Sequence, residues 1–281
     1  MIVVRLSGGL GNQMFQFAAA FALAHRKRCA IYLDCSSYAH DEFGRHYGLR
    51  IFNAHGRILG ASFRLALRFL CKMHPLVGMP SIIVDREQGY DCRIFNEPGP
   101  LVLSGYWQSY KYFEDVEAPL RSQFTFSTEP PQEVILWLER IRNTPNATAL
   151  HIRRKDYITH PEASRVHGCC DGAYYQRAIA HLVSTCRSPS IFIFSDDPEW
   201  ARLNIYVDVP CVVVSSRGGW ADAEDLRLMT ACKHFIIANS SFSWWAAWLG
   251  SQEGKRVIAP ALWYAGRQEP PDLIPQEWLR L

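Results

Sequence analysis

The opening of the chain constrains the fold most. Residues 1–6 make a short apolar run, which breaks at once into Gly8-Gly9-Leu10-Gly11. Residues 12–27 then carry a helical pattern that is apolar nearly all round, with Met14, Phe15, Phe17, Phe21 and Leu23. A helix of that kind has to be buried. Residues 30–33 read as a second strand ending at Asp34. Strand, glycine turn, buried helix and strand in this order open a parallel α/β unit.

The 281 residues fit one large domain or two of about 130–150 residues. Residues 38–100 are less legible, with a helical pattern over 57–73 and an edge-like strand at 82–84. Residues 101–103 read as a strand running into Gly105-Tyr106-Trp107-Gln108. Ser127-Thr128-Glu129-Pro130-Pro131 interrupts the pattern, because proline ends the preceding element and polar residues replace apolar ones. We place the domain boundary there, giving domains 1–128 and 129–281, with the last residues free to pack back on the N-terminal one. Beyond it, helices at 131–142, 172–186 and 221–232 alternate with strands at 147–152, 191–194, 211–214 and 235–238. A Trp-rich helix follows from Ser241, and residues 158–171 read as a loop.

Composition excludes several classes. Thirty Lys+Arg against 27 Asp+Glu leave a formal charge of +3, with the cations dispersed, which argues against a nucleic-acid binder. Hydrophobic residues at 48% supply a core and exclude general disorder. Nine cysteines without C-x-x-C spacing read as reduced thiols of a cytoplasmic protein, and the vicinal Cys169-Cys170 pair is poorly placed for an unstrained bridge. The apolar stretches 6–24 and 234–252 hold too many polar residues for a spanning helix. Peripheral docking on the anionic inner membrane remains compatible with the slight positive excess.

Four polar clusters fall at the carboxyl ends of expected strands, where ligands bind in open α/β sheets: residues 8–13, 151–156, 195–197 and 239–243. The first matches a dinucleotide fingerprint only in part. Met14 replaces the third glycine and no Tyr-x-x-x-Lys pair occurs, so hydride chemistry is set aside. What survives is a bare turn at a helix N-terminus, with Asn12 and Gln13 offering amides. In His151-Ile152-Arg153-Arg154-Lys155-Asp156-Tyr157, cations crowd a strand end. A solvated basic loop or an ion pair with Asp156 explains them structurally, whereas a guanidinium fork suits phosphate oxygens. Adjacent strand residues face opposite ways, so unless the strand has already ended one Arg grips a ligand and the other braces the loop, through Asp156. Asp196-Asp197-Pro198 reads as an N-cap, and Asn239-Ser240-Ser241 as a cap or an anion cradle. Trp244, Trp245 and Trp248 read as core, and Tyr106-Trp107 as exposed aromatics able to stack on a sugar. No Asp-x-Asp triplet or zinc spacing is present, so a departing diphosphate would be neutralised by cations and N–H groups.

Together, residues 8–16, 105–109, 151–157, 194–197 and 239–245 resemble the bacterial alpha-1,2-fucosyltransferases of glycosyltransferase family 11. The resemblance implies a GT-B-like α/β fold: two Rossmann-like domains with parallel sheets facing a central cleft, the donor mainly on the C-terminal one. It implies inverting, metal-independent transfer of L-fucose from GDP-β-L-fucose to the 2-hydroxyl of a galactose-containing oligosaccharide, with no cofactor beyond the donor. It places Arg153 on the β-phosphate, His151 and Asp225 near the guanine, and Asn12 near the reacting centre. Arg154, Asp196, Asn239, Ser240, Ser241 and Gly11 complete the implied donor site. Asp156 is our first candidate for the proton acceptor and Glu162 the second. Lys155 departs from the family pattern, which usually has Gly there, and bears on the following loop and hence on acceptor preference. The rival readings are a transferase of the same fold with another donor sugar, and a non-catalytic glycan-binding protein.

Overall fold

The structure is a computed structural model that describes residues 1–72, 80–86, 89–214, 219 and 222–281; the side chains of residues 68, 72, 156, 162 and 163 lie outside that description. The chain divides into two compact units, one of Met1–Thr128 with Pro270–Pro275 and one of Glu129–Glu269 with Gln276–Leu281.

In the first unit, β1 (Ile2–Arg5) leads into α1 (Leu10–Lys27), β2 (Ile31–Asp34), β3 (Arg57–Ile58), α2 (Ala61–Lys72), β4 (Ser81–Val84), β5 (Leu101–Ser104) and α3 (Glu117–Gln123). The strands form one parallel sheet in the order β3-β2-β1-β5-β4. A central parallel strand is covered on both faces, which is why β1 is apolar without alternation. Twelve of the 18 residues of α1 are buried, its alanines letting the helix lie close to the sheet. The helix stops where Arg28 turns left-handed at φ 50°. The helical pattern expected from residue 57 begins only at Ala61. Arg57 and Ile58 instead pair with Tyr32 and Leu33, and Gly60 separates strand from helix. Two strand residues are too few to register as a period.

The second unit runs α4 (Gln132–Arg142), β6 (Ala147–Ile152), α5 (Lys155–Thr159), α6 (Pro161–His167), α7 (Gly172–Thr185), β7 (Ser190–Ser195), α8 (Pro198–Asn204), β8 (Cys211–Val213), α9 (Asp222–Thr230), β9 (His234–Ile236), α10 (Ser241–Leu249), β10 (Val257–Ala259) and β11 (Leu279–Arg280). Its parallel sheet has the order β11-β10-β9-β6-β7-β8. Numbered within the unit, this is the doubly wound order 3-2-1-4-5-6, which reverses between β6 and β9. The expected loop at 158–171 is largely helical, with Pro161 in the first turn of α6, where its missing N–H costs nothing. The brief β10 and β11 had no counterpart in the sequence pattern. One face of the sheet packs on α7 and α8 through Tyr175, Ala178, Leu182 and Ala201.

Gly105, directly after β5, has φ +124°. A Cβ there would stand 2.4 Å from the Cβ of Asp85, whose carboxylate accepts the Trp107 N–H at 2.7 Å. Gly105→Ala therefore has to break this contact in a strained conformation, at a cost of about 1–3 kcal/mol. Urea unfolding should show a lower midpoint; an unchanged midpoint would mean that the close approach is not needed.

Candidate functional site

In the second unit, the carboxyl ends of β6 and β9 flank the point where strand order reverses, and the clusters at 151–156 and 239–243 both lie there. His151 is the penultimate residue of β6, and its ring centroid is 5.8 Å from that of Phe242 in the first turn of α10. His151 is only 6% exposed. Burial, and secondarily the Arg153 charge, push its imidazole down from 6.5 to about 3, so it is neutral at ordinary pH. Its Nδ1 is buried without a protein hydrogen-bond partner.

The strand ends at Ile152, so strand alternation does not orient the two arginines just beyond it; each pairs with a carboxylate after β7. Arg154 Nε is 3.4 Å from Asp197 Oδ2, and its guanidinium lies 4.1 Å from the centroid of Trp200. Asp197 also caps α8 by accepting the Trp200 N–H at 3.1 Å. Arg154, expected at the donor, is thus engaged as the brace, through Asp197 and Trp200. Arg153 Nε is 3.3 Å from Asp196 Oδ2, with one third of its side chain exposed. Asp196 in turn accepts the backbone N–H groups of Arg154 at 2.9 Å and Lys155 at 3.2 Å. Its carboxylate shapes the turn from which Arg153 projects. Asp156 lies in α5, and its carboxylate and that of Glu162 are outside the described side chains.

Asn239 was expected to face the donor, but it is 3% exposed and turned inward. Its amide donates to the carbonyls of His167, Gly168 and Trp263 at 3.0–3.2 Å, and its Oδ1 accepts from the Cys170 thiol at 3.5 Å. It ties the loops beneath the site together, and Tyr157 adds a hydroxyl bond to its carbonyl at 3.1 Å. Burial pushes the Cys170 thiol up to about 11, so this sulfur is an inert packing group. Ser240 is the N-cap residue of α10, yet its hydroxyl makes no capping bond, and Ser241 follows half-buried. Trp244 and Trp245 are wholly buried core. Asp225 lies half-buried in the first turn of α9, the helix packed against α10 and α4.

In the first unit, the glycine turn meets the end of β5. Gly8 has φ +73°, and a Cβ there would come within 2.7 Å of Asn12 Nδ2. Asn12 Oδ1 accepts the Gln108 amide at 2.9 Å, and Gly11 is buried in the first turn of α1. Gln13, expected to offer its amide to a ligand, is 1% exposed and clamps Gly8, His46 and Gly48 instead. Gln16 bridges Ser7 and the Gly105 carbonyl. Trp107, expected as an exposed platform, is 1% exposed. It takes a left-handed φ of 55° and packs its ring edge-on to Tyr112. Half-buried Tyr106 is the more accessible of the two aromatics. Trp200 escaped the sequence reading as a site-shaping residue because nothing in the short, mixed α8 marks which of its side chains turns toward the β6 loop.

The description "Glycosyl transferase family 11" matches residues 85–281. The chain is 30% identical over 298 residues to an alpha-1,2-colitosyltransferase of Escherichia coli, covering 100% of this chain and 99% of that one. It is 26% identical over 261 residues to the galactoside 2-alpha-L-fucosyltransferase SEC1 of Bos taurus, covering 89% and 64%. A mutant of Arabidopsis thaliana FUT1 in complex with GDP shares the fold at TM-score 0.52, with 13% identity over 89% of this chain and 68% of that one. The fold is α/β and GT-B-like, built from two Rossmann-like units on parallel sheets.

The depressed imidazole makes stability depend on pH. Between about 6.5 and about 3 the unfolded chain binds a proton at His151 that the folded chain refuses. This contribution is whole above the upper value and is lost as pH falls through the window. NMR titration should find His151 neutral at pH 5, and His151→Gln should flatten the acid side of the stability profile. A His151 protonating near its ordinary value would contradict the burial argument.

Proposed function

The chain belongs to glycosyltransferase family 11, and from that premise we propose that it transfers L-fucose from GDP-β-L-fucose to the 2-hydroxyl of a galactoside, with inversion and without a metal ion. The acceptor oxygen attacks the anomeric carbon while the bond from that carbon to the β-phosphate oxygen breaks, its electron pair leaving on GDP. The hydroxyl proton passes to a carboxylate, for which Asp156 is the first candidate. Arg153 takes the charge growing on the diphosphate, aided by the α10 N-terminus at Ser240 and Ser241. The guanine sits near neutral His151 and Asp225.

The observation that carries this reading is the division of labour at the end of β6. Arg154 is occupied by Asp197 and Trp200, whereas Arg153 is positioned by Asp196 and partly exposed at the switch point. A neutral His151 with an unpartnered Nδ1 beside it suits the edge of a base. The colitosyltransferase relative favours a second reading, the same reaction with colitose as donor sugar.

Arg153→Ala should lower kcat/KM by about 10²–10³ with the fold intact, while wild-type turnover should persist in EDTA. A donor screen with GDP-fucose, GDP-colitose and GDP-mannose, with the product linkage read by NMR, decides the sugar. Turnover with GDP-colitose alone would replace fucose and leave the diphosphate assignment standing. Near-normal turnover by Arg153→Ala, or loss of activity in EDTA, would overturn that assignment.

A further inference from the structure

The stretch 43–72 contains six Lys and Arg residues (Arg45, Arg50, Arg57, Arg64, Arg68 and Lys72) and no Asp or Glu. The chain's whole positive excess resides there, because the other 24 cations are outnumbered by 27 acids. The stretch ends in α2, whose polarity is the reverse of an ordinary surface helix. Ser62, Leu65, Ala66 and Phe69 fall at the i, i+3, i+4, i+7 spacing of one face, and all four are exposed, Leu65 at 71% and Phe69 at 65%. Toward the sheet the helix buries little beyond Leu67, which packs with Val3, Leu59 and Val102. Arg64 also turns inward, 3.8 Å from buried Asp34. Ile58, just before the helix, is 61% exposed, and Arg57 beside it is exposed too.

We infer that α2 and the segment leading into it form a docking surface for an anionic lipid bilayer. Two facts select that partner. Apart from Ser62 the outward face is apolar, the form in which a surface helix sinks shallowly into the boundary between headgroups and acyl chains. The surrounding chain is basic over thirty consecutive residues with no acid to interrupt it, complementing an extended negative surface. The remaining chain, with 24 Lys and Arg against 27 Asp and Glu, supplies no net attraction of its own. No helix among the described residues is long and apolar enough to cross a membrane, and the binding is therefore interfacial. The inference is independent of which donor sugar the enzyme uses.

Cosedimentation of the full chain with vesicles tests this. The protein should pellet with phosphatidylglycerol-containing vesicles about tenfold or more in preference to pure phosphatidylcholine, and added salt should release it. Leu65→Glu combined with Phe69→Glu should reduce the bound fraction about tenfold or more. Both positions are exposed, so the unfolding temperature should not change. Exchanging exposed Arg50 and Arg57 for Glu should remove the lipid preference without touching the apolar face. Equal or absent binding to the two vesicle types, or full binding by the Leu65/Phe69 variant, would overturn the proposal. So would a lipid-free dimer in sedimentation equilibrium that the same variant abolishes, since a second copy would then cover the face.

Discussion

The carboxylate of Asp196 is the contact on which the second unit's site depends. A parallel strand ends abruptly, and the first backbone N–H groups beyond it have no partner in the sheet. Asp196, at the end of β7, accepts two of them from the neighbouring β6 loop and also lies beside Arg153. One side chain thereby satisfies backbone donors, turns the chain and fixes a cation at the edge of the sheet. The same carboxylate is shared among three donors, two backbone N–H groups and the Arg153 guanidinium.

The first unit solves the same problem with amides. Gln13 and Gln16 are buried in α1, yet both turn back to hold the glycine turn and the end of β5. Their hydrogen bonds leave the loops little freedom, and the neighbouring Asn12–Gln108 pair is held on this rigid base. In both units several of the most deeply buried polar residues, Gln13, Gln16 and Asn239, act as scaffolding for loops.

The alternation of strands and helices was legible in the sequence because central parallel strands are continuous apolar runs and the long helices keep their period. β6 and α1 declare themselves in this way. Three short pieces did not: β3 and β11 hold two residues each, too few for a period, and the three-residue β10 was not picked out although the equally short β8 and β9 were. The polar clusters at strand ends were legible as clusters, since charges and amides are improbable in a buried sheet. Which member faces a ligand was not. Asn239, Gln13 and Trp107 carry the chemistry of binding residues, and only tertiary packing turns them inward. Strand alternation does not separate Arg153 from Arg154, because β6 ends at Ile152; what holds Arg154, the Trp200 ring and the Asp197 cap, lies more than forty residues further along the chain.

The account turns on a guanidinium taking the diphosphate charge. A crystal structure of the protein with GDP, grown in the presence of EDTA, tests that most directly. The account predicts β-phosphate oxygens within hydrogen-bonding distance of Arg153, beside the first turn of α10, with Arg154 still packed on Trp200. A diphosphate lodged away from Arg153, or GDP that binds only once a divalent ion is restored, would contradict it.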